Sequence, residues 1–261
     1  MQETNTKSLK KQLAAAIAML LVAVVALGSA SYAWFVSNNT VTATTTNISA
    51  QSNSAYLVID TITTNTNSTS AATASETFTD TKMYPAQWKN TVDTNTWQFE
   101  SAYASVKDNA AEKSGTRFAV GDPDTAVGKD YTLANTFYIG TGTYDGQFTN
   151  LKVDNMTVST GNTNKLAGAI RVLVYIDQDN WALVSPTKVE ASCLAGTVVT
   201  TGENLGIIRT AAFGKAEGDV AVKLYAFYDG ADTEVYTTQL EALKNEVGAT
   251  VSFSAKPTEF K

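Results

Sequence analysis

The sequence predicts an all-β protein, an antiparallel β-sandwich with one or two short helices in its connections. Three observations predict it. Beyond the N-terminal third, apolar residues recur with a period of two. Turn residues fall where those runs end, as at Gly140-Thr141-Gly142, Asp145-Gly146, Thr160-Gly161-Asn162-Thr163 and Asp229-Gly230. Helical spacing is confined to two short stretches.

The chain begins with an address. Lys7, Lys10 and Lys11 against a single Glu3 make the first residues positive, and Leu13–Leu27 is wholly apolar. As a helix that run spans about 22 Å at ~1.5 Å per residue. The hydrocarbon core is ~30 Å thick, so a signal peptide is favoured over a permanent anchor. Small-x-small sites follow at Gly28-Ser29-Ala30 and Ser31-Tyr32-Ala33. Cleavage after Ala33 is favoured, which makes Trp34 the mature N-terminus; cleavage after Ala30, or retention as an anchor reaching Phe35, is the alternative. A prepilin-type signal usually needs a glutamate near the start of its helix, and here Gln12 and Leu13 stand after Lys11. Residues 1–33 are thus read as the signal, 34–54 as an extended Ser/Thr/Asn-rich segment, and 55–261 as the sandwich. No charged residue stands between Lys11 and Asp60.

The strands follow in order. Tyr131, Leu133, Phe137 and Ile139 alternate, with Asn135 as the exception. Leu151 and Val153, then Met156 and Val158, alternate but slip by one at Asp154-Asn155, the signature of a β-bulge. Ile170, Val172, Val174 and Ile176 share one face of the next strand, Val222, Leu224, Ala226 and Tyr228 of another, and Val251, Phe253 and Ala255 of the last. Gln239–Val247 has helical spacing with Gly248 as a stop, and the alanine-rich Ser101–Lys113 is the second helical stretch.

Composition narrows the function. Removing residues 1–33 takes away three lysines and one glutamate, leaving 16 basic and 24 acidic residues, a net charge of −8. Such a surface repels phosphate backbones, which argues against nucleic acid as a partner. The chain has no histidine, so the usual base of Ser-His and Cys-His hydrolases and the commonest metal ligand are both missing. The reading is non-enzymatic, with no catalytic residue and no cofactor. Cys193 is the only cysteine, so no intrachain disulfide forms. An exported chain without disulfides fits a Gram-positive-type surface better than an oxidised periplasm.

Tyr32-Ala33-Trp34-Phe35 with its Ser/Asn/Thr-rich continuation resembles the start of the TasA/camelysin-like surface proteins, exported through a SipW-type signal peptidase. Lys82-Met83-Tyr84-Pro85-Ala86 is similar to that family's Tyr/Leu-Pro-Ala element. The segments 130–139, 169–177, 225–232 and 251–255 resemble its later strands in order and spacing. The resemblance implies a jelly-roll sandwich and a role in extracellular fibres or biofilm matrix. Camelysins are described as metalloproteases; a chain without histidine does not carry that activity over.

Assembly has a physical route. The uncharged, β-prone segment with Trp34, Val36, Val41 and Ile48 suits donation as a strand to an open sheet edge of another copy. Such head-to-tail transfer need not close, so it builds a filament; the alternative is that the segment pairs within its own sheet or serves as a spacer. The expected partners are therefore the signal peptidase during export and further copies of the chain, with membrane contact only through the signal segment. The alternatives are a secreted module binding cell-wall polysaccharide and, less favoured, a secreted hydrolase. For the first, Trp88, Trp97 and Trp181 are candidate stacking rings. Trp97 alternates with Phe99 as a core residue does, and Trp181, after Asp177-Gln178-Asp179-Asn180, is expected to be the exposed one. Asp177 and Asp179 space oxygen ligands as a calcium loop does, but without its glycine and distal glutamate they read as a solvated turn. The last residues, Ala255–Lys261, hold neither a sortase-type signal nor an apolar span, so retention at the surface is expected from self-assembly, wall binding or an uncleaved signal.

Overall fold

The computed structural model describes residues 12, 15–22, 42–52, 57–62, 73–82, 84–91, 96–101, 119–121, 131–142, 145–160, 167–230, 232, 235 and 247–258. The chain divides into two units, Met1–Thr40 and Val41–Lys261. In the first, residues 15–22 are helical. Among the described residues, no helix is long and apolar enough to cross a membrane. Both helices expected in the connections lie outside the described residues apart from Ser101 and Val247, each of which is in a strand; Ala167–Ala169 forms a short 3-10 turn.

Among the described residues, the second unit is built of β-strands and the one 3-10 turn. Its strands are β1 (Thr42–Ser52), β2 (Val58–Asp60), β3 (Thr73–Lys82), β4 (Ala86–Thr91), β5 (Thr96–Ser101), β6 (Ala119–Gly121), β7 (Leu133–Gly140) and β8 (Gln147–Thr160). There follow β9 (Ile170–Asp177), β10 (Asn180–Ser185), β11 (Lys188–Leu194), β12 (Thr197–Val199), β13 (Ile207–Arg209), β14 (Phe213–Gly214), β15 (Val220–Tyr228) and β16 (Val247–Pro257). One sheet runs β13-β8-β16-β1-β3, with β14 also on β8. A second runs β12-β11-β10-β9-β15-β7-β2, and a small third runs β4-β5-β6.

The two large sheets share one apolar core. Ile48, Leu151, Val153, Met156, Val251 and Phe253 of the first meet Phe137, Ile139, Val172, Val174, Val222 and Leu224 of the second. The alternation read from sequence supplies these side chains. The slip in β8 is a bulge: Ser252 pairs with Asn155 but Phe253 with Val153, so Asp154 is the extra residue. That keeps both Val153 and Met156 on the core side, where a regular strand would turn one of them outward. Asn135 occupies a half-buried position of β7, and its Oδ1 accepts from the Thr136 N–H at 2.9 Å.

Two sequence expectations change here. The sheets are not wholly antiparallel, because β1 lies parallel to β16, with Ile48 opposite Ala249 and Ser52 opposite Phe253. Residues 42–52, read above as part of an extended arm, are an interior strand of the first sheet. On its other side β1 pairs antiparallel with β3, from Thr42 opposite Lys82 to Gln51 opposite Thr73. Ile48 and Ala50 are fully buried there. Parallel pairing joins the first and last strands of the unit, a contact that local patterning cannot encode.

Residues 200–206 tie the two sheets together at one edge. The Gly206 N–H donates to Ser192 Oγ (3.0 Å) in the second sheet, and its carbonyl accepts from the Val153 N–H (2.9 Å) in the first. Gly206 has φ +88°, and a Cβ built there would stand 2.5 Å from the Val153 carbonyl oxygen. Glycine is required on both counts.

Candidate functional site

Of the residues assigned to export and assembly, Ala33, Trp34, Val36 and Val41 lie outside the described residues. Ile48 is described and sits at the centre of β1. Its backbone neighbours are Ala249 on β16 and Glu76 on β3. The first strand therefore has a partner on both sides within its own chain.

The expectation that Trp181 is the exposed ring is corrected: it is 1% exposed. The turn before it holds only Gln178 and Asp179, so Trp181 is already the second residue of β10. Register then puts it between Cys193 and Tyr175. Together with Leu173, Tyr225, Phe227 and Ala86 these residues form a second apolar cluster, on the face of the second sheet turned away from the main core. Tyr175 and Tyr225 meet edge to face at 6.2 Å, and Lys223 Nζ lies 5.3 Å from the Tyr225 ring centre. The Ala86 carbonyl accepts from the Gly230 N–H at 2.8 Å, which fastens the start of β4 to the end of β15. A buried ring offers no stacking surface to a sugar. Cys193, fully buried in the same cluster, is a structural thiol. Trp88 and Trp97 stand on β4 and β5, where Trp88 pairs with Phe99 and Trp97 with Asn90.

The Asp177–Asn180 loop is a closed turn. Asp177 Oδ1 accepts from the Asp179 N–H (2.9 Å) and from Asn180 Nδ2 (2.8 Å), and Asn180 Oδ1 accepts from the Ala195 N–H (3.2 Å). The Gly196 N–H reaches the Asp179 carbonyl at 3.1 Å. These bonds bind the β9–β10 turn to the β11–β12 turn, which is the work an Asx turn does. Among the described residues, no group of three or more Cys, Asp or Glu side chains is placed to hold a metal ion. Beside the turn lies a half-open cleft of about 150 Å³, lined by Ile176, Asp177, Asn180, Leu194, Ile208 and Arg209 among others. Arg209 Nη2 donates to the Ala212 carbonyl (3.2 Å).

One charged cluster escaped the sequence reading. Arg171, 12% exposed at its side chain, lies 3.1 Å from Glu190 as an ion contact, without hydrogen-bond geometry at Nε. Asp232 is at 3.5 Å and Asp229 at 3.7 Å. Its Nη1 donates to the carbonyls of Gly168 (2.7 Å) and Ile170 (3.0 Å). The cluster pins the turn after β15 to β9 and β11. Arg171→Ala would leave three carboxylates facing one another without a cation. It is expected to lose about 2 kcal/mol, below the range for fully buried pairs because these groups are partly solvated. Urea denaturation measures the loss, and added salt should return part of it by screening the carboxylates. An unchanged midpoint would show that the cluster holds nothing.

Comparison of the chain with protein families, with curated proteins and with solved structures finds no match.

Proposed function

We propose that the chain is an exported, non-enzymatic surface or matrix protein of a Gram-positive-type bacterium, with a jelly-roll sandwich whose first strand serves assembly. The observation that carries this reading is the place of β1. It is the first strand of the unit, it follows the uncharged segment that begins at Trp34, and it fills a slot between β16 and β3. A terminal strand in such a slot can be exchanged between identical copies with its contacts conserved, since Ile48 and Ala50 find the same core in either subunit. One-way exchange leaves one slot and one strand unsatisfied at the ends, so the contact repeats into a filament. No charge in 42–52 opposes the transfer.

In this reading the partners are the signal peptidase during export and further copies of the same chain. The reading as a polysaccharide-binding module loses its best residue with the burial of Trp181, and no described feature restores it. Electron microscopy of the mature protein, with and without residues 34–50, tests the proposal. The intact protein is expected to form fibres and the deleted one to remain dispersed. Fibres from the deleted protein would eliminate strand donation.

A further inference from the structure

The cleft beside the Asp177–Asn180 turn lies where β13 of the first sheet meets the β9–β10 and β11–β12 turns of the second. Ile176, Leu194 and Ile208 give it an apolar wall. Ala195 lines it from a left-handed backbone (φ +49°), fixed by the bond from its N–H to Asn180 Oδ1. Two groups of opposite charge stand in the same lining, Arg209 and Asp177, and they are not paired with each other. Arg209 is half-buried. Among the described residues its guanidinium makes one hydrogen bond, to the Ala212 carbonyl, and no ion pair, while Nε is buried without an acceptor. Asp177 is exposed, and both bonds it accepts, from the Asp179 N–H and from Asn180 Nδ2, end on Oδ1. Its Oδ2 accepts none among the described residues. A half-buried cation without an anion has given up part of its water and recovered little in exchange.

We propose that this cleft binds a free α-amino acid with a small aliphatic side chain. The ligand's carboxylate pairs with Arg209, its ammonium with Asp177 Oδ2, and its side chain rests on the apolar wall. Charge selects the class. A simple carboxylic acid would set its anion before Asp177 with nothing to balance it, an amine would leave Arg209 unpaired, and a neutral sugar would answer neither charge. An α-amino acid carries both charges and an apolar group in one small molecule. Size agrees. The cleft of about 150 Å³ equals about five waters at ~30 Å³ each, and its open mouth adds a little more, which suits a molecule such as alanine or valine. The walls are held in advance. Asn180 ties Asp177 to Ala195, and Gly206 is clamped between Val153 and Ser192 just before Ile208 and Arg209, so binding orders little of the chain. The site does not involve β1 and stands whether or not the chain builds filaments.

Equilibrium dialysis of the mature chain against labelled L-valine tests the site, and it reads bound ligand whether the protein is dispersed or fibrous. The cleft is smaller than the ~300 Å³ of pockets that enclose drug-sized ligands, so a weak Kd, on the order of 1 mM, is expected. Valinamide lacks the carboxylate and N-acetylvaline lacks the ammonium. Each is expected to bind the unaltered protein about tenfold more weakly than valine, the loss that follows an unmade hydrogen bond to a charged group. Glycine lacks the side chain and is expected to bind more weakly than valine as well. Arg209→Gln should bind valine no better than valinamide, and Asp177→Asn no better than N-acetylvaline. The asparagine keeps the Oδ1 that holds the turn, and circular dichroism reports the folding of both variants. If Arg209→Gln does not fold, the comparison of valine with valinamide on the unaltered protein still decides the role of the carboxylate. Four results would overturn the proposal: no valine bound at about 10 mM, tenfold above the expected Kd; blocked compounds that bind as well as valine; glycine that binds as well as valine; or folded variants that discriminate as the unaltered protein does.

Discussion

Trp181→Ala is expected to remove about 3–5 kcal/mol of stability, the range for deleting a large aromatic side chain from a packed interior. The ring is 1% exposed and belongs to a buried cluster with residues of β9, β11, β15 and β4, among them Leu173, Cys193, Phe227 and Ala86. Small side chains such as Ala86 and Cys193 cannot reach into the space it leaves, so the cavity stays open and the loss falls near the top of the range. For a unit of this size the melting temperature should drop by about 10 °C or more, at ~2–4 °C per kcal/mol. Trp181→Phe keeps most of the volume and should recover more than half of the loss. A Trp181→Ala protein within about 1 kcal/mol of the unaltered one would mean that the outer cluster is not a packed core.

Gly206→Ala is expected to lose about 3 kcal/mol, from two separable causes. A left-handed backbone costs about 1–2 kcal/mol for any residue with a Cβ. The new Cβ would also stand 2.5 Å from the Val153 carbonyl oxygen, which forces apart the bonds that Gly206 makes to Val153 and Ser192. Gly218 is the control, because it has the same φ of +88° with nothing within 4 Å of a Cβ. Gly218→Ala should therefore lose only the backbone part, about 1 kcal/mol. Equal losses in the two variants, measured by urea denaturation, would show that residues 200–206 do not clamp the sheets.

The inner faces of the strands were legible because a period of two is a local property. Val172 and Val174, Val222 and Leu224, and Val251 and Phe253 all reach the core as their spacing implies. Even the bulge was legible, since the change of phase between Val153 and Met156 has no other simple cause. What was not legible depends on distant partners. Leu173, Tyr225 and Phe227 stand at positions that alternation assigns to solvent, and they are buried in a second cluster that also holds Ala86. The same cluster holds Trp181, whose position after an acidic turn suggested exposure. The Thr and Asn run 42–47 read as an arm because polar strands carry a weak hydrophobic pattern. Only pairing with β3, and of Ile48 onward with β16, makes it a strand of the sheet. Arg171 was missed for a related reason: Glu190, Asp229 and Asp232 approach it only in the folded chain.

Exchange of β1 between copies is the central claim, and a reversible lock tests it most directly. Thr42 and Lys82 are opposite each other at the end of the β1–β3 pair, so Thr42→Cys with Lys82→Cys can join the strand to its own sheet. Cys193 is fully buried and does not compete for the new thiols. The oxidised protein should remain monomeric under the electron microscope, and the same sample should form fibres once reductant is added. Fibres in both states, or in neither, would contradict the exchange.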